Sequence, residues 1–296
     1  MPPRTHTLEA PGYSRVDAET VSDLLLRYDT LILDLDGVVL RYSQLIPGVD
    51  RTLRDVRRRG RKLVVSSNSM RRTPRRISEM LGALDLPLAE EDIVTSGRVT
   101  LEYLSRLPIE SPDVLAFGCN GLEADFERIG LRCLDLSGPI DVARVGMVVV
   151  GAIEETGFRL EHYEAALNAA ARGVPVVATS LDLTVPARQG LKIGSGLLAQ
   201  FLIHSLKQNT RNVHVTGKPG EVYFRFLKQY LAGREPGRCL FVGDTLLADI
   251  TGARDAGLET LFVLSGNDDL GFMQHLGIRP DFIAASIAEG ESYAKR

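Results

Sequence analysis

Tryptophan is absent from this 296-residue chain, aromatic residues make up 6% of it, and there are only three cysteines and five histidines. Each scarcity removes a class of chemistry. Cys119, Cys133 and Cys239 are dispersed, each in or beside an apolar stretch. They do not form the dense framework of a disulfide-stapled scaffold and read as buried thiols in a reducing compartment. His6, His162, His204, His214 and His275 are scattered without metal-ligand spacing. No apolar run approaches the roughly 20 residues of a membrane-spanning helix. The opening Met1-Pro-Pro-Arg-Thr-His-Thr lacks the apolar core of a secretory leader. A cytoplasmic protein without a membrane partner is therefore expected. The formal net charge of -3, with 25% charged residues, argues against bulk attraction to nucleic acid or lipid. Repeats and long low-complexity segments are missing too.

What the chain does have is a recurring ending. The apolar run Thr30-Leu-Ile-Leu closes on Asp34-Leu-Asp36-Gly37. Side chains alternate along a strand, so Asp34 and Asp36 are expected on one side where it runs out. Two carboxylates at the end of a buried strand need neutralising, and a divalent cation with a phosphorylated substrate would do it. Lys62-Leu-Val-Val ends in Ser66-Ser67-Asn68, Val213-His-Val-Thr in Gly217-Lys218-Pro219, and Arg238-Cys-Leu-Phe-Val in Gly243-Asp244. Open parallel sheets bind ligands at the carboxyl ends of their strands. Four such strands would bring carboxylates, a hydroxyl and an ammonium to one rim.

In this order the residues resemble the four motifs of the haloacid dehalogenase-like (HAD) hydrolase superfamily. Asp34-Leu35-Asp36-Gly37-Val38 is similar to its first motif, Ser66 to its hydroxyl motif, Gly217-Lys218-Pro219 to its lysine motif, and Gly243-Asp244 followed by Asp249 to its acidic motif. The intervening Ala178-Thr-Ser-Leu-Asp182-Leu-Thr-Val-Pro and Gly194-Ser-Gly196 resemble the NagD-like, or p-nitrophenyl phosphatase-like, subgroup. The resemblance implies an α/β fold, with a Rossmann-like doubly wound parallel-sheet core and a large inserted α/β cap. It also implies dimerisation through the cap, as in relatives. One departure stands out: Ser66-Ser67-Asn68 replaces the subgroup's usual Thr-Asn-Asn, keeping the hydroxyl but altering the loop.

The chemistry implied is phosphomonoester hydrolysis. A carboxylate nucleophile divides the displacement into two steps through an aspartyl-phosphate. The resemblance and the strand end together assign Asp34 to that role and Asp36 to proton transfer. Asp34, Asp244 and, by resemblance, the Asp36 main-chain carbonyl are expected to bind Mg²⁺, a hard cation that prefers oxygen ligands. Ser66, the amides of Ser67 and Asn68, and Lys218 would clamp the phosphate. Asp249 is expected to orient Lys218 or metal-bound water; its bland alternative is a carboxylate favouring a helix start. The partner expected is a small phosphorylated metabolite: a sugar phosphate, phosphoglycolate, glycerol phosphate, a nucleoside monophosphate or pyridoxal phosphate. Phosphomutase chemistry and a non-hydrolytic phosphometabolite-binding or regulatory role are the alternatives.

Other features have ordinary explanations. Arg54 to Lys62 holds a dense basic run, but on a helix without interleaved aromatics it reads as a solvated face rather than a nucleic-acid surface. The cluster Arg71-Arg72-Thr-Pro-Arg75-Arg76 follows the phosphate loop and could recruit anions. Asp182 reads as a turn or N-cap residue, or as a residue at the junction of core and cap. Gly190, Gly194 and Gly196 do not make a nucleotide loop. The division expected is a tail over 1–18, a catalytic core over 19–76 and 188–296, and a cap over 77–187. A helix is expected over Ala18–Tyr28, with cap strands at Val114–Cys119, Val145–Ala152 and Val174–Thr179 and a core strand leading to Lys218.

Overall fold

Short apolar runs become parallel strands when both faces of the sheet are covered. In the computed structural model, Thr30–Asp34 is buried along its whole length. The structure describes residues 9–108, 110–119, 122–151, 159–187, 190–206, 212–288 and 290–296. Within them the chain divides into two compact units, one of residues 1–67, 74–94 and 227–296, the other of 68–73 and 95–226.

The first unit contains an eight-stranded sheet. From edge to edge its strands are Ser14–Thr20, Ser292–Lys295, Phe282–Ala284, Glu259–Val263, Cys239–Gly243, Thr30–Asp34, Lys62–Ser67 and Ile93–Thr95. The five consecutive strands from Phe282–Ala284 to Lys62–Ser67 run parallel. From Thr30–Asp34 the chain steps outward through Lys62–Ser67 to Ile93–Thr95, then restarts at Cys239–Gly243 and steps the other way. The order reverses between Thr30–Asp34 and Cys239–Gly243, the switch point at which an open sheet leaves a crevice. Leu31, Leu33, Leu240, Val242, Leu261 and Val263 form part of one core with Leu53 and Val56. Those last two lie on the helix Val49–Arg58, whose buried residues Val49, Thr52, Leu53 and Val56 follow helical spacing.

The second unit is built around a five-stranded parallel sheet ordered Val213–Val215, Val176–Ala178, Met147–Val150, Asp113–Phe117, Arg132–Cys133. Alternate residues feed two cores. Leu115, Phe117, Val148, Val150, Val176 and Ala178 pack with Ala166, Ala169 and Leu198. Val114, Met147, Val149 and Val177 pack with Leu104, Phe126 and Leu131. The α/β class and the doubly wound parallel sheet are as expected.

Three expectations need correcting. Val213–Val215 is not a strand of the larger sheet; it pairs in parallel with Val176–Ala178. The second unit accordingly reaches Phe226, and its helix Gly196–Ser205 buries Leu198, Ala199 and Leu202 in that unit's core. The core does not resume at the expected boundary of 188; Thr184–Ala187 and Gly190–Ile193 pair antiparallel and belong to the second unit. The expected tail contributes Ser14–Thr20 to the sheet, antiparallel to Ser292–Lys295. The helix then begins only at Val21, capped by Thr20 and Asp23, and ends at Leu25. Of the remaining expectations, residues 1–8 and Ala152 lie outside the described residues.

Half of the basic run is ion-paired within the chain. Arg54 pairs with Asp50, Arg59 with Asp55 at 3.0 Å and Arg61 with Asp29 at 3.2 Å. In the second unit Asp113 is buried at a strand start. It accepts hydrogen bonds from Arg132 Nε at 2.7 Å and from Arg144 Nε and Nη2 at 3.1 and 2.9 Å. Burial pushes its carboxyl up, but the two guanidinium groups outweigh it and hold the group below the usual carboxylate range. A depressed carboxylate stabilises the fold above its unfolded pKa and loses that contribution as pH falls through the folded value. Asp113→Asn should cost about 1–3 kcal/mol at neutral pH. Urea midpoints of the two proteins should converge on acidification below about pH 4.

Candidate active site

Two sets of side chains carry the candidate chemistry, one in each unit. In the first unit Asp34 ends its strand directly opposite Ser66 on the neighbouring strand. Both are buried, as are Ser67, Asp244 and Asp249. Carboxylate oxygens of Asp34, Asp244 and Asp249 all lie within 4.8 Å of one another. At that separation, and at the effective dielectric of a protein site, each pair of anions repels by about 3.5 kcal/mol. The donor set is entirely oxygen and entirely anionic, which fits a hard divalent cation.

Asp36 differs from Asp34 in exposure. The strand stops at Asp34, and a turn closed by Gly37 N–H to Leu40 O at 2.6 Å and Leu40 N–H to Leu35 O at 2.8 Å carries Asp36 into solvent. The strand therefore ends two residues short of Asp36, and the expected alternation does not apply to both. Gly37 has φ +100°, and a side chain there would overlap the Asp244 carboxylate. The backbone turns tightly because glycine alone accepts both conditions.

Asp249 returns to the loop that precedes it. A wide, π-type turn over Leu246–Thr251, with Ile250 N–H donating to Thr245 O at 3.2 Å, follows Asp244. Asp249 Oδ2 accepts from the Asp244 and Thr245 N–H groups, both at 3.2 Å, and from Thr245 Oγ1 at 2.8 Å. One carboxylate oxygen is thus committed to shaping the acidic loop.

The segment after Glu259–Val263 was not foreseen. Asn267 N–H donates to Asp244 Oδ2 at 2.7 Å, Asp268 N–H to Asp244 O at 3.2 Å, and Ser265 Oγ to Gly37 O at 2.6 Å. Gly266 sits so close that any side chain would overlap Asp244. The available signal was another polar cluster, Ser265-Gly266-Asn267-Asp268, just beyond a buried parallel strand.

The second unit holds Asn68 and Lys218. Lys218 is buried, and its N–H donates to Asn68 Oδ1 at 2.7 Å while its carbonyl accepts from Asn68 Nδ2 at 3.1 Å. The Asn68 side chain therefore clasps the lysine backbone. Asp182 is a turn residue: its N–H donates to Ser180 Oγ at 3.0 Å, and its Oδ2 accepts from that hydroxyl at 2.7 Å and from Asn68 Nδ2 at 3.4 Å. All three cysteines are free. Burial pushes the Cys119 thiol well up and the Cys133 thiol up to about 11, which removes them as ready nucleophiles.

Residues 31–132 match a model described as haloacid dehalogenase-like hydrolase, and residues 215–290 match one described as HAD-hydrolase-like. Together they span more than half of the chain. The chain belongs to the haloacid dehalogenase-like hydrolases. This HAD-like chain is 28% identical to the glycerol-3-phosphate phosphatase of Homo sapiens over 93% of its own length and 94% of the relative's. It resembles the solved p-nitrophenyl phosphatase from Archaeoglobus fulgidus at TM-score 0.73 and 26% identity, covering 88% of this chain and 97% of that one. It also resembles a glycerol phosphate phosphatase from Mycobacterium tuberculosis, solved in complex with magnesium, at TM-score 0.72 and 27% identity over 91% of this chain and 77% of that one. The expected p-nitrophenyl phosphatase-like kinship of this HAD-like hydrolase is borne out. Among the described residues no helix is long and apolar enough to cross a membrane.

The Asn68 clasp generates a stability test. Asn68→Ala should cost about 1–3 kcal/mol by stranding the Lys218 backbone groups. Asn68→Asp should cost no less, because its new carboxylate faces Asp182. Urea unfolding of the three proteins measures both.

Proposed function

We propose that this HAD-like hydrolase is a Mg²⁺-dependent phosphatase for a small phosphomonoester, working through an aspartyl-phosphate. The observation that carries the proposal is the group of three buried carboxylates, Asp34, Asp244 and Asp249, at the switch point of a parallel sheet. The first unit would be the catalytic core, and the second would include the cap.

Asp34 attacks phosphorus as its bond to the ester oxygen breaks, and Asp36 gives its proton to the departing alkoxide. Asp36 then takes a proton from water as that water attacks the same phosphorus, releasing phosphate and regenerating the Asp34 carboxylate. The exposure of Asp36 suits a group that exchanges protons with leaving group and solvent in turn. The Ser66 hydroxyl, the Ser67 and Asn68 amides and the Lys218 ammonium bind phosphoryl oxygens. Asp34, Asp244 and the Asp36 main-chain carbonyl would hold Mg²⁺, with Asp249 keeping the acidic loop in shape. When bound, the cation offsets repulsion between nucleophile and phosphate and stabilises charge in the transition state. The named relatives act on glycerol phosphates and p-nitrophenyl phosphate. Small alcohol phosphates are therefore the leading substrate class.

Phosphate release from glycerol phosphate, phosphoglycolate, sugar phosphates, nucleoside monophosphates, pyridoxal phosphate and p-nitrophenyl phosphate tests this directly. Release should require Mg²⁺ and stop with EDTA. Asp34→Asn should lower it by at least about 10³-fold, and Asp36→Asn by about 10²–10⁴-fold. A folded protein that frees no phosphate from any ester would shift the assignment to mutase chemistry or phosphometabolite sensing.

A further inference from the structure

The loop that follows Glu259–Val263 makes one tie to the turn that carries Asp36 and one to Asp244. Ser265 Oγ donates to the Gly37 carbonyl at 2.6 Å, and Asn267 N–H donates to Asp244 Oδ2 at 2.7 Å. The residue between them, Gly266, leaves no room for a side chain against the Asp244 carboxylate. Gly37 presses on the same carboxylate from the turn that carries Asp36. Asp244 Oδ2 is therefore enclosed by two glycines and held by a peptide N–H. Within this arrangement Ser265 supplies the side-chain bond that joins the loop to the Asp36–Gly37 turn.

We propose that Ser265 is a positioning residue: its hydroxyl braces the Asp36–Gly37 turn against the loop that orients Asp244. The inference rests on the phosphatase reading for what the braced groups do. A general acid and a cation-binding carboxylate on separate strand ends work together only when their spacing is held to a fraction of an ångström. The Ser265 hydroxyl and the Asn267 amide lie two residues apart on one segment, so a single rigid loop fixes both. Ser265 is half-buried and need not touch substrate. Its effect would pass entirely through Gly37 and its neighbours. Partners of this kind around a metal site typically influence affinity or turnover by about 10–100-fold.

Ser265→Ala and Ser265→Thr test it with two readouts, the kcat and KM for the best phosphomonoester and Mg²⁺ affinity by calorimetry without substrate. Ser265→Ala should lower kcat by about 10–100-fold and weaken Mg²⁺ binding by about 10-fold or more. KM should change by less than about threefold, since phosphate contacts lie elsewhere. Ser265→Thr keeps the hydroxyl and should recover most of both losses. The inference is overturned if Ser265→Ala retains kcat and Mg²⁺ affinity within about twofold, or if folded Ser265→Thr is as impaired as Ser265→Ala. The calorimetry separates this failure from failure of the phosphatase reading. A wild-type protein that binds Mg²⁺ yet releases no phosphate would sink that reading, while its Mg²⁺ affinities would still report on the brace.

Discussion

Repulsion among buried carboxylates is the constraint around which the first unit is arranged. Asp34, Asp244 and Asp249 occupy one small volume at the ends of two adjacent strands. Nothing in an apolar sheet favours this, and the surrounding backbone is shaped to tolerate it. Peptide N–H groups of Asp244, Thr245 and Asn267 point at carboxylate oxygens and absorb part of the negative charge. Gly37 and Gly266 let two loops close over Asp244. The cluster that burdens the fold is also the donor group on which the proposed cation site rests.

The strand order explains why the cluster sits where it does. In a parallel sheet all loops at one end carry the carboxyl ends, but most neighbouring strands are followed by connections that pack to the same side. At the reversal between Thr30–Asp34 and Cys239–Gly243 the connections diverge, which is where an open sheet forms its crevice. Asp34 and Asp244 come from these two strands. A functional group one strand further out, Ser66, is still opposite Asp34 in register.

Asp34, Ser66 and Asp244 were legible in the sequence because each follows an apolar run too short for a helix and too apolar for an exposed strand. Val213–Val215 followed the same pattern and was misassigned. A three-residue strand carries no information about which of two parallel sheets receives it; that is decided by pairing with Val176–Ala178, whose identity as a partner lies in the fold. The terminal pair Ser14–Thr20 and Ser292–Lys295 was hidden for a related reason. Its segments, Ser-Arg-Val-Asp-Ala-Glu-Thr and Ser-Tyr-Ala-Lys, are polar and meet from opposite ends of the chain. The Ser265–Asp268 loop escaped notice because its key donors include peptide N–H groups, which every residue but proline possesses.

The division of labour between side chain and backbone bears on what can vary in such a protein. Asp244 is oriented by amides, so the residues supplying them can change without loss provided the loop keeps its path. Lys218 is different: both of its backbone hydrogen-bonding groups are held by the side chain of Asn68. The Ser66-Ser67-Asn68 segment therefore contains residues under unlike constraints. Ser66 is fixed by its place opposite Asp34, and Asn68 by a side-chain clasp that neither aspartate nor alanine reproduces. For Ser67 the proposed contribution is a peptide N–H, which another side chain would supply equally well. Departure from Thr-Asn-Asn at the middle position is then physically the least consequential, and replacement of threonine by Ser66 preserves the hydroxyl. The local sequence can drift from its relatives while the donor geometry required for phosphate chemistry is retained.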